Sequence, residues 1–227
     1  MSAHDNKIEA SEAMVDSSSN DLPSGPAVLV VGVLADTHIP DRVNRLHPDI
    51  ITVFQAAKVD LILHAGDICA PGVITQLEQV APVKGVRGNR DWVFYRKLPL
   101  SRELELAGVP VVLTHGHGNF INYWIDKWYY YSEGYRLERY HKYLTRFAPK
   151  ARVIVFGHTH YAENIFTGKQ LLFNPGSASM GWRPGKEPSI GLLRFYADGQ
   201  VKGEIIKLDS YCLRARHWIF IRNLKIS

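Results

Sequence analysis

The sequence predicts a layered α/β fold, and three observations carry that expectation. Apolar runs of about strand length recur from Val28 onward, separated by segments able to form helices. These runs are apolar throughout rather than at alternate positions, which is the mark of strands covered on both faces by other layers. After Ala162 the chain reads as successive strands with turn signals at Thr167-Gly168, Asn174-Pro175-Gly176 and Asp198-Gly199, so part of the sheet is antiparallel.

Taken in order, Val28 to Leu34 reads as a buried strand followed by a loop through Pro40. A helix is expected from about Pro48 to Lys58, then a strand from Val59 to His64 and a helix near Val73 to Val80. Val83 to Val86, Val109 to Thr114 and Arg152 to Phe156 are further strands, and Ala162 to Leu208 carries the hairpin-like ones. Residues 120–147 hold 11 of the chain's 25 aromatic residues, too dense for background. Trp124, Trp128, Tyr131 and Tyr135 fall at helical spacing, and Leu137, Tyr140, Leu144 and Phe147 form a second stripe. The segment reads as a core-facing helical pair inserted between strands; a cap over a substrate pocket and a contact between two copies of the chain are the alternatives.

With 227 residues, 46% of them hydrophobic, the chain suits one globular domain. That domain is assigned to residues 27–208, after a disordered, polar tail at 1–26 and before a C-terminal extension at 209–227. The longest apolar stretch, Ala27 to Ala35, is far short of the roughly 20 residues of a membrane span. The start lacks the order of a secretory signal, so a cytoplasmic protein with no membrane partner is expected. Cys69 and Cys212 form no CxxC pair and read as reduced packing residues, which excludes a disulfide framework and a thiolate zinc site. The net charge of +5, much of it late in the chain, reads as a solvated face; nucleic acid is a less favoured partner.

The chemistry lies at the strand ends. LADTH, HAGDI, VRGNRD, THGHG and FGHTH each place Asp, Asn or His just beyond an apolar run, with a glycine nearby in four of the five. In open α/β sheets the carboxyl ends of strands form the rim where ligands bind. Asp36, His38, Asp67, Asn89, His115, His158 and His160 are all competent ligands for a divalent first-row ion. Seven exceed the needs of one site, and the surplus points to two ions sharing a bridging carboxylate. In FGHTH, Gly157 is expected to let the backbone turn after the strand. His64 reads as a packed histidine, His47 and His141 as surface residues, and Asn174 and Ser177 as builders of a tight turn under the rim.

The order D-x-H (Asp36, His38), G-D (Gly66, Asp67), G-N-x-D (Gly88 to Asp91), H-G-H (His115 to His117) and G-H-T-H (Gly157 to His160) resembles the calcineurin-like metallophosphoesterase superfamily. The closing N-P-G-S (Asn174 to Ser177) is similar to its YfcE-type phosphodiesterase branch. The resemblance implies a four-layer α/β/β/α sandwich with mixed sheets and a binuclear metal centre. Asp36, His38 and His160 would hold one ion, Asn89, His115 and His158 the other, and Asp67 would bridge them. Two divalent ions are implied as cofactors, Mn²⁺ by resemblance, with Ni²⁺, Fe²⁺, Co²⁺ and Zn²⁺ also suited to the ligands.

The implied activity is hydrolysis of a small or nucleotide-like phosphodiester by in-line attack of a metal-bridging hydroxide. Asn89, Arg90 and His117 are the residues assigned to catalysis. Many relatives carry a histidine where this chain has Arg90, and a guanidinium can bind phosphate but cannot donate a proton. Leaving-group protonation is therefore assigned to His117 or water, and Asp91 to orienting a neighbour or capping a turn. The alternatives are a protein-binding scaffold, because a retromer subunit shares the resemblance, and a metal-dependent nuclease.

Overall fold

The computed structural model describes residues 23, 25–117, 137–181 and 186–221. Two five-stranded sheets are stacked, with helices on the outer face of each. The first sheet holds β1 (Leu29–Leu34), β2 (Leu61–His64), β3 (Val83–Gly85), β9 (Ser189–Phe195) and β10 (Val201–Lys207). They run in the order β10-β9-β1-β2-β3. The second holds β4 (Ser101–Leu106), β5 (Val109–Thr114), β6 (Val153–Val155), β7 (Glu163–Thr167) and β8 (Gln170–Asn174), in the order β4-β5-β6-β8-β7. Helices α1 (Asp49–Ala56) and α2 (Pro71–Leu77) lie on the first sheet, and α3 (Leu137–Phe147) on the second. A separate hairpin, β11 (Tyr211–Arg214) and β12 (His217–Phe220), completes the described chain.

Side-chain alternation explains the layering. Val31, Val33, Leu61 and Leu63 point between the sheets, where they meet Val111, Leu113, Val153, Val155 and Phe173. The intervening Leu34 and Ile62 point outward against Ile50, Phe54, Val73 and Leu77 of α1 and α2. On the far side, Tyr140 and Leu144 of α3 cover Val112, Ile154, Phe156 and Leu172. Strands buried on both faces have no polar side to show, and this is why the sequence reads as unbroken apolar runs. The architecture is the α/β/β/α sandwich that the sequence predicts.

Strand direction decides where the chemistry goes. Within the first sheet β1, β2 and β3 are parallel, and within the second so are β5, β6 and β8. The antiparallel partners β9, β10, β4 and β7 lie to the outside of these groups. Six carboxyl ends therefore feed loops, and the motif residues all sit in those loops.

Several details differ from the sequence expectation. β4, SRELEL, is an edge strand that alternates half-exposed charged and apolar residues, so it has no continuous apolar run. Phe147 ends α3 exposed (47%), outside the buried stripe of Tyr140 and Leu144. Of the aromatic insertion, residues 120–136 lie outside the described residues. His47 is not a surface residue: it is 1% exposed, with Trp218 of the C-terminal hairpin at 4.6 Å between ring centroids and Tyr211 at 5.4 Å.

His47 has a pH consequence. Burial pushes its pKa from 6.5 down to about 4, against the raising influence of Asp49 and Asp209. Between those values the unfolded chain takes up a proton that the folded chain refuses. The stability associated with this group is complete above pH 6.5 and is lost as pH falls toward 4. Denaturant titrations at pH 7 and pH 5 should show wild type losing about 2 kcal/mol more than His47→Phe over that interval. Equal losses in the two proteins would contradict the assignment.

Candidate metal centre

Just past the parallel strands, neighbouring loops are stitched together by their backbones. Asp36 N donates to Gly66 O at 3.0 Å, His38 N to Asp67 O at 3.1 Å, and Ala178 N to Ala35 O at 2.9 Å. Asp36, His38, Asp67, His158 and His160 then adopt left-handed backbone conformations, with φ of 54°, 48°, 54°, 70° and 59°. For non-glycine residues each such site costs about 1–3 kcal/mol and persists only where its surroundings over-determine it. Here they do. Asp36 O accepts from Ser177 Oγ at 3.0 Å and Ser179 Oγ at 2.8 Å, and Asp36 Oδ2 accepts from His158 N at 3.0 Å. Buried Asp91 accepts from Ile68 N, Cys69 N and Gly88 N at 2.8–2.9 Å, the turn-capping part expected of it.

Two glycines are required by close approach. A Cβ on Gly88 would collide with the Asp67 carboxylate and backbone nitrogen. A Cβ on Gly157 would stand 2.9 Å from both Ala35 Cβ and Ala65 O. Gly157 is thus present for contact with the β1 and β2 loops. The unusual backbone turns expected of it occur instead at His158 and His160.

The seven motif residues converge. His160 Nε2 lies 3.3 Å from Asp36 Oδ1 and 3.2 Å from His38 Nε2, and His38 Nε2 is 3.7 Å from both Asp36 Oδ1 and Asp67 Oδ2. On the other side, Asn89 Oδ1 is 3.1 Å from His115 Nε2 and 3.0 Å from His158 Nδ1, and His115 Nε2 is 3.6 Å from Asp67 Oδ1. The two carboxylate oxygens of Asp67 therefore address different groups.

The donor set fits divalent ions. His115 Nδ1–H donates to Ala65 O at 2.6 Å, which turns the Nε2 lone pair toward Asn89 and Asp67. Asp36 Oδ1 is buried without a hydrogen bond of good geometry, although two ligand-type atoms, His160 Nε2 and His38 Nε2, lie beside it. Burial pushes the His38 pKa down to about 3 and that of His158 well below its ordinary value, so both imidazoles are neutral and able to bind a cation. Asp67 is pushed up to about 6, first by burial; His115 opposes this, and the charge of Asp36 adds to it. Asp36 goes the other way: burial would raise it, but His160 first and then His115 hold it below the usual carboxylate range. His115 is raised because Asp67 and Asp36 outweigh the cost of burying it. An anionic, lone-pair-rich concavity of this kind is completed by cations.

Beneath the rim, Gly66 N donates to His64 Nδ1, so His64 Nε2–H faces Thr37 Oγ1 at 3.2 Å. Thr37 in turn donates to Ile68 O and Asp67 O. His64 is thus packed and satisfied, as expected, and ties the β1 loop to the β2 loop. Asn174 Oδ1 accepts from Gly176 N in the tight turn read from the sequence. His141 is half-buried rather than on the surface and pairs with buried Glu163 at 2.9 Å.

Arg90 is exposed at the mouth, paired with Asp41 at 3.2 Å, while its backbone N–H donates to Asp67 Oδ1 at 2.8 Å. His117 stands 5.2 Å from His115 between ring centroids. Three rim residues escaped the sequence reading. Arg42 Nη1 reaches His160 Nδ1 at 3.5 Å, and Asp41, Cys69 and His38 bring ligand-type atoms within 4.8 Å of one another. Cys69 is at the rim and half-buried, which the packing role assigned to it did not anticipate. Arg42 follows His38 by one helical turn, with Arg42 N donating to His38 O at 2.9 Å, and that spacing was its only sequence signal.

Comparison with known proteins agrees with this geometry. A family model described as the calcineurin-like phosphoesterase superfamily domain matches residues 29–198. A protein of Methanothermobacter thermautotrophicus named "Probable metallophosphoesterase" is 33% identical over 186 residues, 82% of this chain and 92% of its own. A second of that name from Methanocaldococcus jannaschii is 27% identical over 184 residues, 80% of this chain and 82% of its own. Among solved structures, Vps29 of Entamoeba histolytica complexed with zinc superposes with a TM-score of 0.59 at 22% identity, over 80% of this chain and all of that one. A structure described as a novel archaeal phosphodiesterase gives 0.54 at 20% identity, over 78% of this chain and all of that one. No helix among the described residues is long and apolar enough to cross a membrane. The chain belongs to the calcineurin-like phosphoesterase superfamily and is a metal-dependent phosphoester hydrolase.

Proposed function

We propose that this hydrolase is a phosphodiesterase for small or nucleotide-like diesters, working at a two-ion centre. The carrying observation is the divided carboxylate of Asp67, with one oxygen beside His38 and the other beside His115. Asp36, His38 and His160 would hold one divalent ion and Asn89, His115 and His158 the other, with Asp67 common to both. Mn²⁺ is the ion proposed, on family resemblance. Bound there, two dications supply Lewis acidity, neutralising phosphoryl oxygens and acidifying a water.

The chain's own residues do the rest. Asp67 and Asp36 offset part of the ions' charge, leaving a mildly positive floor that favours a phosphate ester. Arg90, paired with Asp41, and Arg42, beside His160, bind the non-reacting phosphoryl oxygens through their guanidinium N–H groups. Burial pushes the His117 pKa down to about 3, so at neutral pH His117 is a proton acceptor rather than a donor. The proton for the leaving oxygen then comes from water, and esters of acidic alcohols or phenols react fastest.

The test is hydrolysis of bis(p-nitrophenyl) phosphate by Mn²⁺-loaded protein. Turnover supports the reading, and its absence with metal bound favours a scaffold. That second reading has one observation behind it: Trp92, Val93 and Phe94, beside the rim, are 60%, 80% and 59% exposed, an apolar stretch suited to a protein partner. In the enzyme, Arg90→Ala should raise KM about tenfold with metal content unchanged, a loss on the scale of one charge-assisted hydrogen bond. Loss of metal in that variant would show that Arg90 supports the ions instead.

A further inference from the structure

The matched family region stops at residue 198, yet the β11–β12 hairpin beyond it reaches back to the metal rim. Residues 39–48, which follow His38, form neither helix nor strand, and their backbone groups must find partners elsewhere. The hairpin supplies three. Arg216 Nη2 donates to Pro40 O, Asn44 N donates to Arg216 O at 3.0 Å, and Trp218 Nε1 donates to Arg45 O at 2.9 Å. Asn44 Nδ2 also meets His217 Nδ1 at 2.8 Å. Arg42 lies between these anchors, with its guanidinium beside His160.

The hairpin turn gives an independent sign. Its two central residues, Ala215 and Arg216, both have positive φ, 44° and 70°. A two-residue turn of this kind normally takes Asn-Gly, and side chains there are strained. A chain selected only to close this hairpin would carry glycine at the second position. Arginine there places a guanidinium on the Pro40 carbonyl, one residue before Asp41 and two before Arg42.

We propose that the C-terminal hairpin is a positioning element of the active site, in which Arg216 clasps the 39–48 loop and so holds Arg42 ready to receive phosphate. This rests on the reading of the centre as a phosphoester site. The clasp acts through Arg42, so losing it weakens anion binding and leaves the ions in place.

The test measures binding of inorganic phosphate to Mn²⁺-loaded protein by calorimetry, with metal content and Tm recorded for each variant. Arg216→Ala should weaken phosphate about tenfold, and Arg216→Lys, which keeps one donor for Pro40 O, should restore most of that. The double change Ala215→Asn with Arg216→Gly relieves the turn, so it should match or exceed wild type in Tm and still bind phosphate about tenfold more weakly. A purely structural hairpin predicts no such split. Adding Arg216→Ala to Arg42→Ala should weaken binding no further than Arg42→Ala alone. Unchanged affinity in Arg216→Ala and in the relieved turn would overturn the proposal, as would multiplied effects in the double variant. Wild type that binds phosphate but fails to hydrolyse the diester would refute the phosphodiesterase reading while leaving the clasp standing.

Discussion

Asp67→Ala is expected to empty both halves of the centre together and to lower kcat by about 10³-fold or more, some 4 kcal/mol of transition-state stabilisation. The reason is geometric. Its two oxygens face His38 and His115 at 3.7 and 3.6 Å, so one truncation removes a ligand from each group. It also removes the acceptor for the Arg90 amide at 2.8 Å, which frees the backbone of the Asn89 loop. Elemental analysis of the Mn²⁺-equilibrated variant should show neither ion retained. A variant that kept two ions would exclude Asp67 as their shared ligand, and one that kept a single ion would assign it to one half alone.

Phe173→Ala should lower stability by about 3–5 kcal/mol, the range for a buried aromatic whose site cannot collapse. For a chain of this size that is a fall in Tm of roughly 10 °C. Phe173 is fully buried between the sheets. The opposite sheet makes room with Gly191 and Gly203, where a Cβ would run into the ring: Gly203 at 2.7 Å from Cε2, and Gly191 still closer. Gly191→Ala, whose Cβ meets nothing nearer than 3.4 Å apart from the ring, should therefore destabilise wild type and be better tolerated beside Phe173→Ala. Thermal melts of the two single variants and the double variant measure this coupling, and simple additivity would mean that the ring does not depend on that glycine.

The site was legible in the sequence because its chemistry is written locally. Most of the motifs put ligand-type residues just after a continuous apolar run, Asn89 after the short strand VKG being the exception, and parallel strands carry those ends to one rim. What stayed hidden depends on distant partners. His47 is buried by Trp218, 171 positions further on, and no local pattern announces that. The β11–β12 hairpin is lined with Arg214, Arg216 and His217 and reads as a charged extension, although Trp218 is 4% exposed. β4 is visible only by its pairing with β5 from Ser101↔Thr114 to Leu106↔Val109. Cys69 and Asp41 reach the rim because Cys69 takes a left-handed turn (φ 70°) and Arg90 pairs with Asp41, both of them tertiary effects.

Each half of the centre draws its side chains from both sheets. Asp36 and His38 come from β1 and His160 from β6, while Asn89 follows β3 and His115 follows β5. Among the described residues few polar side chains cross the seam elsewhere: Arg102 Nε reaches Gly85 O at 2.8 Å on one flank, and Asn164 Nδ2 reaches Gly203 O at 2.8 Å on the other. With the proposed ions bound, the centre would act as a rivet through the stack, because shear of one slab against its neighbour would pull apart side chains that hold the same ion. Loading it should therefore raise Tm in proportion to the logarithm of free metal concentration, and a chelator should reverse the gain. Protection of the β5 and β6 amides against hydrogen exchange should climb in step, making mechanical coherence of the sandwich a readout of ion binding that needs no substrate.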